Sequence, residues 1–375
     1  KLLSKFDLDQ LTPEIRDDYA YYLMTTTDQI KAKKVLLYQI AENLASTRTY
    51  VLFARIHARE RDFVGYKTML DAAQKEIKNA DDEVRYHICA TSYYLAQPDE
   101  KALEIGDQHS EMAYEASTRS HNIELKTYTL LNRGAAFQAK GQLANAKHVL
   151  TDGLLLCETE NLKFNRMAIL LLIRLSEVCK DMGQYEEALN YVQKGINRQA
   201  LTTDLDLKNL YAMRAMIYLE TQMIDRAIAA FEYSIELSKD RFWEFGQSYT
   251  YTFLCYSYLK GGSQYVQKIW EIYNKLLESP IKYAQAHFLL IEAIAHLAIH
   301  DHQTAIQSLR QIKLEPQIMT HDHTLLAQLI LGHELVKTNS YTIDDLSQLF
   351  GVLDARKTDI TAAAYSEYLP DFFLK

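Results

Sequence analysis

Apolar residues recur every three and four positions along almost the whole chain, with polar residues between them. The stretch YAMRAMIYLETQMIDRAIAAFEYSIELS, residues 211–238, is typical. This spacing gathers the apolar side chains on one face of an α-helix, and no valine–isoleucine alternation of the strand type interrupts it. Very short turns separate the helical segments, so the pattern predicts stacked pairs of antiparallel helices.

Three central segments share a repeating arrangement of small and bulky residues. In each, a small residue in the first helix is followed 12 positions later by an alanine in the second helix: Gly134 with Ala146, Ser176 with Ala188, and Ala215 with Ala227. Two helices approach closely only where a side chain is small, so each pair predicts a helix–helix contact. Gly141 and Gly183 fall in the turns, where glycine ends a helix in a left-handed conformation.

Weaker copies of this pattern extend in both directions. They are Ala20 with Ala32, Ala54 with Tyr66, Ala90 with Ala102, Ala293 with Ala305, and Cys255 with Gln267, whose second member is a poor match. We therefore predict eight repeats over roughly residues 12–316. Capping helices in 317–375 would cover the apolar face of the last repeat, within a single domain spanning 1–375.

This pattern resembles the tetratricopeptide repeat (TPR). The resemblance implies an all-α, right-handed α-solenoid whose work is recognition and not catalysis. Corresponding second-helix residues are 34 to 44 positions apart, which is longer than the usual TPR interval of about 34. Such long repeats are similar to the MalT-like sensor domains of bacterial signal-transduction regulators, and to the peptide-receptor arrays of Gram-positive quorum-sensing regulators.

Composition and charge narrow the function further. The net charge of −8 and the absence of a long basic cluster argue against direct nucleic-acid binding, which needs clustered lysine and arginine. No apolar run is long enough to span a bilayer. Cys89, Cys157, Cys179 and Cys255 form no CxxC pair and predict buried thiols in a reducing, cytoplasmic setting. The chain opens without Met, which predicts a fragment or processed product of a longer protein.

Two histidine clusters raise the question of a metal site. His296, His300 and His302 lie in AIAHLAIHDHQTAIQ, and His321 and His323 lie in THDHT. His296 and His300 share a helical face, but a transition-metal site needs three or four converging ligands. In the repeat frame His300 falls where Gly141 and Gly183 fall. We therefore favour a helix end and its polar turn, and keep a metal-dependent enzyme as the alternative.

Other catalytic signals are weak. No GxxxxGK[ST] or GxGxxG loop occurs, and carboxylates are scattered over helix surfaces. Residues 342–369 superficially suggest a helix-turn-helix, but they carry only Arg356 and Lys357 as bases and are better interpreted as a cap. We predict a protein that is not an enzyme and needs no cofactor.

The TPR resemblance implies that a ligand binds the concave surface lined by the first helices. Counting the small residue as position 8, positions 2, 5, 6, 9 and 12 face this groove. The resulting candidates are Tyr128, Asn132, Gln138, Arg174, Glu177, Asn209, Met213, Met216, Tyr249, Phe253 and Tyr256. This aromatic, methionine-containing lining suits an extended peptide or partner segment.

These observations predict the sensor or interaction domain of a bacterial signal-responsive transcriptional regulator. Its ligand would be a peptide, a small molecule or a partner protein, and homo-oligomers fit the same prediction. Two alternatives remain. One is a peptide-pheromone receptor without its DNA-binding domain, which a backbone-clamping Asn132 or Asn209 would favour. The other is a constitutive scaffold.

Overall fold

A computed structural model of the chain describes residues 8–26, 28–60, 62–97, 100–159, 166–198, 204–237, 245–278, 285–312, 321–342 and 345. The α-helices in these residues are α1 Pro13–Thr26, α2 Gln29–Ala41, α3 Thr47–Arg59, α4 Phe63–Lys75, α5 Ala80–Leu95, α6 Glu100–Arg119, α7 Ile123–Ala139, α8 Leu143–Thr159, α9 Arg166–Asp181, α10 Tyr185–Ile196, α11 Asp204–Glu220, α12 Ile224–Glu236, α13 Phe245–Gly261, α14 Val266–Leu277, α15 Gln285–Ala298, α16 His302–Gln311 and α17 His321–Lys337. The described ranges contain no strand, so the predicted all-α repeat fold is confirmed.

The chain divides into two compact units, Lys1–Arg174 and Leu175–Lys375, with the boundary inside α9. In the first unit, hereafter unit 1, consecutive helices pair as hairpins: α1 with α2, α3 with α4, α5 with α6, and α7 with α8. In unit 2 the same pairing joins α11 with α12, α13 with α14, and α15 with α16. Each hairpin buries one apolar stripe against its neighbours, as a repeat architecture requires.

Side-chain caps fix where many of these helices begin. Ser46 accepts from the backbone of Thr49, and the Thr49 hydroxyl accepts from the backbone N–H of Ser46, which forms a reciprocal cap at the start of α3. Asp62 and Asn79 cap α4 and α5 in the simpler one-way manner. Because each cap satisfies an otherwise unpaired N–H, short polar residues in the turns set the helix boundaries.

The small residues of the repeat lie at close helix contacts, as predicted. A Cβ atom on Gly134 would stand 2.5 Å from the Leu150 side chain of the next helix. Gly195, near the end of α10, would meet Leu210 of α11 at 2.7 Å. Both distances are shorter than real Cβ contacts, so a larger residue would force the leucine side chain or its helix to shift.

Four of the turns that close first helices share one backbone geometry. Gly141, Gly183, Gln222 and His300 each lie seven positions after the small residue, and their φ angles are +70°, +71°, +59° and +62°. The residue after each one donates its N–H to a carbonyl five positions back, as Gln142 does to Phe137 and Asp301 does to His296. The prediction that His300 occupies the glycine position of the turn is confirmed. Glycine is preferred there but not required.

The seventh hairpin, formed by α13 and α14, does not follow the offset of 12 positions that the repeat pattern predicts. Gln267, the proposed partner of Cys255, is exposed, while Ile269 is fully buried in the core of unit 2. The cause is a longer connection, because α13 runs to Gly261 and a 3-10 turn, Ser263–Tyr265, comes before α14. The fixed offset of 12 positions therefore points to the wrong residue in this hairpin.

Helix α17 is built like the first helix of a further hairpin. Gly332 is buried, and seven positions later Asn339 adopts a φ of +54°. Ser340 donates to the carbonyl of Leu335, the same bond that closes the other turns. Thr342 and Asp345 then cap each other reciprocally. The capping segment predicted for 317–375 thus begins with a repeat-like helix, and residues 346–375 lie outside the described residues.

The four cysteines are buried thiols, as the sequence predicts. Burial raises the pKa of the Cys255 thiol far above its usual range, so this thiol stays protonated. Among the helices in the described part of the chain, none combines the length and the apolar content needed to cross a bilayer.

Candidate functional site

Two side-chain contacts show that the first helices of unit 1 curve around a common inner face. Arg55 on α3 donates from Nη2 to the Tyr128 hydroxyl on α7 at 2.7 Å. Helix α5 packs against both α3 and α7, so this contact reaches across an intervening helix. A flat row of helices could not bring these side chains together, because neighbouring helix axes are about 8–10 Å apart.

A second contact spans even more of unit 1. Arg166, the first residue of α9, donates from Nη1 to the Tyr21 hydroxyl on α1 at 3.3 Å, although 145 positions separate them. Tyr21 also lies close enough to Arg55 to influence the pKa of its guanidinium electrostatically. We call Tyr21, Arg55, Tyr128 and Arg166 the inner-face cluster.

The position rule that selects Tyr128 also finds two members of this cluster that were not among the predicted site residues. Tyr21 directly follows Ala20, and Arg55 directly follows Ala54, so both occupy position 9 of their repeats. The predicted site residues all come from the middle repeats, whereas Tyr21 and Arg55 lie in earlier ones. The sequence therefore contained enough information to select Tyr21 and Arg55. It could not predict the contact between Arg55 and Tyr128, because that contact depends on the curvature of unit 1.

Asn132 is the most informative of the predicted groove residues. It lies one helical turn after Tyr128 on α7, and only 7% of its surface is exposed. Its side-chain oxygen is buried and accepts no hydrogen bond. Leaving such an acceptor unpaired costs about 1–3 kcal/mol, so native proteins rarely do so without a reason.

The remaining predicted residues of unit 1 lie further along the same helices. Arg174 on α9 donates from Nη1 to the Gln138 side chain of α7 at 3.3 Å. Both side chains are half-buried. This contact brings two of the predicted groove residues together.

In unit 2 most of the predicted lining is core. Met216, Phe253 and Tyr256 are 2%, 0% and 0% exposed, and Met213 is also buried. Met216, Phe253 and Tyr256 pack in the core of unit 2, so in this structure they present essentially no surface to a ligand. Asn209 is exposed, whereas Glu177 and Tyr249 are half-buried. The position rule fails here because it takes no account of side-chain size. Large apolar residues fill the space between adjacent helices and are buried there.

The histidine clusters form ordinary pairs in the described residues. His296 and Asp301 approach to 3.1 Å across their turn, and His302 contacts Glu334 of α17 at 2.6 Å. His300 occupies the left-handed turn position. Within the described side chains, no three His, Cys, Asp or Glu groups converge as a metal site would need. The side chains of His321 and His323 lie outside the described residues.

The structure also contains a histidine pair that was not predicted from the sequence. The Nδ1 atoms of His87 on α5 and His109 on α6 are 2.8 Å apart, so one nitrogen must donate and the other accept. Burial lowers the pKa of His87 to about 4, and its neighbour His109 adds to the effect. Burial also lowers the pKa of His109, which stacks on Tyr94.

A polar cavity of about 660 Å³ lies at one edge of unit 1, near the starts of α1, α3 and α5. Its charged lining residues largely neutralise one another. Arg85 pairs with Asp82 and Lys78 with Glu76, while Arg48 pairs with Asp18. Most charged groups of the cavity therefore already have partners, whereas the side-chain oxygen of Asn132 on the inner face has none.

Comparison with known proteins places the fold. The family model described as the tetratricopeptide repeat matches residues 170–200 and 209–241. No curated protein sequence matches the chain.

Three solved structures share the fold at low sequence identity. The Rap protein complexed with competence and sporulation factor is 13% identical, with a TM-score of 0.61 over 96% of this chain and 97% of that chain. The apo form of the quorum sensor NprR from B. thuringiensis is 13% identical, with a TM-score of 0.60 over 91% and 98%. NprR in complex with its cognate peptide NprX is 14% identical, with a TM-score of 0.56 over 92% and 99%.

The matched repeats coincide with α9–α12, where the sequence pattern is clearest. The same turn geometry recurs at Gly141 and His300, well outside the matched region. The chain therefore contains tetratricopeptide repeats in α9–α12, within a fold shared with the solved helical-repeat proteins above.

Proposed function

We propose that this chain is a peptide-binding interaction domain that holds an extended peptide along the inner face of unit 1. The observation that carries the proposal is the buried, unpaired side-chain oxygen of Asn132. A peptide backbone N–H is a donor that this oxygen lacks, and an asparagine amide can both accept from and donate to a peptide bond.

The neighbours of Asn132 suit the same ligand. Tyr128 and Tyr21 bring aromatic surface and hydroxyl groups to the inner face, and Arg55 adds a cation. Aromatic rings supply contact area at little cost in side-chain entropy, while polar groups satisfy the peptide backbone. An extended chain is also the ligand shape that a curved row of helices can follow.

The fold comparison supports a peptide ligand independently of Asn132. Rap was solved with competence and sporulation factor, and NprR with its cognate peptide NprX. Both cover nearly the whole of this chain. We extend the ligand class, a peptide, to this chain as part of the proposal, together with a role as the cytoplasmic sensor of a bacterial signal-responsive regulator. Catalysis has no part in it.

Of the two alternatives that the sequence left open, the peptide-pheromone receptor is favoured over the constitutive scaffold. A groove asparagine that clamps a peptide backbone would favour the receptor, and the burial and unpaired oxygen of Asn132 support that role. Asn209, the other candidate, is exposed on α11. The MalT-like resemblance and control of transcription remain predictions.

The test is native mass spectrometry of the purified chain after incubation with a mixed-sequence heptapeptide pool. We expect retained peptides in the native protein, and at least a tenfold smaller retained fraction in Asn132→Leu. Asn145→Leu is the matched control, because Asn145 is exposed on α8 and should leave retention unchanged. No retention by the native protein, or equal loss in both variants, would contradict the proposal.

A further inference from the structure

We infer that Arg55 is the receptor for a carboxylate group of the bound peptide. This inference rests on the proposed function and adds the chemical class of the ligand. It starts from the charge balance of unit 1, where several arginines pair with carboxylates and Arg55 contacts a tyrosine instead.

Several arginines of unit 1 have a carboxylate partner. The pairs are Arg48 with Asp18, Arg85 with Asp82, Arg119 with Glu83, and Arg133 with Asp107 and Glu111. Arg55 has no such partner among the residues that the structure describes. Its hydrogen bond goes to the neutral hydroxyl of Tyr128.

Among the described residues, the groups that act most strongly on Arg55 carry no compensating negative charge. The groups with the strongest electrostatic influence on it are Tyr128, Cys89, Tyr21 and Tyr66, and none of them is a carboxylate. Burial keeps the thiol of Cys89 and the phenol of Tyr66 protonated by raising the pKa of each. A half-buried guanidinium that faces only neutral groups loses hydration without gaining an ion pair, and a ligand anion would restore the balance.

The geometry leaves donors for that anion. A guanidinium carries five N–H donors in a planar fork, and the Tyr128 hydroxyl accepts from one nitrogen, Nη2. Two parallel N–H groups match the two oxygens of a carboxylate, a pairing that lysine cannot reproduce.

The position of Arg55 connects this anion site with the proposed backbone clamp. Tyr128 contacts Arg55 directly, and Asn132 lies one turn further along α7. A peptide that satisfies Asn132 through its backbone would therefore have a cation close by. A monoanion suits the site better than a polyanion, because the net charge of −8 disfavours a highly charged anion.

The carboxylate can belong to the C-terminus of the peptide or to an Asp or Glu side chain, and the experiment separates the two. We would use the mixed-sequence heptapeptide pool in three forms. The first has free C-termini, the second has C-terminal carboxamides, and the third has carboxamides and contains no Asp or Glu. Retention on the full chain is measured by native mass spectrometry.

We expect the native protein to retain peptides with a carboxylate at least tenfold better than the third pool. Arg55→Gln should abolish this preference while keeping retention through Asn132. Arg119→Gln is the charge-matched control, because Arg119 is exposed and already paired with Glu83, and it should keep the preference. Tyr128→Phe, which removes the hydroxyl but keeps the guanidinium, should also keep it.

Each outcome decides between the proposals. If the native protein retains all three pools equally, the carboxylate inference is overturned and the peptide-binding function stands. If it retains none, both are overturned. A preference that survives in Arg55→Gln overturns the assignment to Arg55, and a thermal-melting curve like that of the native protein shows that the variant is folded.

Discussion

Arg55 and Tyr128 are 73 positions apart and belong to different repeats, yet the guanidinium of one donates to the hydroxyl of the other at 2.7 Å. Their helices, α3 and α7, are separated by α5. The bond therefore depends on the curvature of unit 1 and not on local sequence. It also brings the Arg55 guanidinium to Tyr128, which lies one helical turn from Asn132, the residue on which the proposed peptide site depends.

Replacing Asn132 by leucine should keep or raise the stability of the protein while it lowers peptide retention at least tenfold. Leucine has a similar size and removes an oxygen that is buried without a partner, so the free energy of unfolding should change by between 0 and about +1 kcal/mol. Urea denaturation of both proteins measures this difference.

Asn122→Ala provides the contrast for that experiment. Asn122 caps α7 by accepting from the backbone of Leu125, and its loss should lower stability by about 1 kcal/mol. If Asn132→Leu proved as destabilising as Asn122→Ala, the Asn132 amide would be hydrogen-bonded within the protein. It would then not be available to bind a peptide backbone.

The shared turn geometry predicts opposite effects for two substitutions in unit 2. Gly183 has a φ of +71° and free space around its Cα, so Gly183→Ala should cost about 1 kcal/mol through backbone strain alone. Gln222 adopts nearly the same conformation at +59°, so Gln222→Gly should be neutral or stabilising by up to about 1 kcal/mol. Thermal melting of both variants checks the pair, and a stabilising Gly183→Ala would refute the common turn.

The corrected register of the seventh hairpin predicts which residue of α14 supports the core. Ile269 is fully buried in unit 2, so Ile269→Ala should lower the free energy of unfolding by about 2–4 kcal/mol. Gln267 is exposed, and Gln267→Ala should change it by less than about 0.5 kcal/mol. Equal losses in the two variants, measured by chemical denaturation, would restore the offset of 12 positions inferred from the sequence.

The His87–His109 pair predicts an acid-sensitive stability of unit 1. Because burial and His109 lower the pKa of His87 to about 4, the unfolded chain binds more protons than the folded one between pH 6.5 and about 4. Stability should therefore fall as the pH drops through this range, although the carboxylate of Glu83 partly opposes the shift. His87→Gln should flatten this dependence.

The measurement is the urea midpoint at several pH values between 7.5 and about 4.5. His121→Gln is the control, because His121 is exposed and lies outside the pair. A slope that is the same in the native protein and in His87→Gln would show that the pair does not govern the acid response.

The sequence by itself determined the helices, their pairing and most of the repeat register. Apolar spacing places side chains on a helix face, and small residues such as Gly134 must stand where helices touch, so both features can be identified locally. The turn position of His300 followed from the same frame. The repeat offset gave the wrong residue in the seventh hairpin. The 3-10 turn before α14 lengthens the connection, so Ile269 is buried in place of Gln267.

Only the tertiary structure decided which residues of the predicted groove are available and which charges lack a partner. Met216, Phe253 and Tyr256 satisfy the position rule, yet neighbouring helices bury them, because burial depends on how closely the helices pack. The contact of Arg55 with Tyr128 and the missing partner of Asn132 arise from residues far apart in the chain. Repeat periodicity fixes which face of a helix a residue occupies, whereas the curvature accumulated over several repeats determines what stands opposite that face.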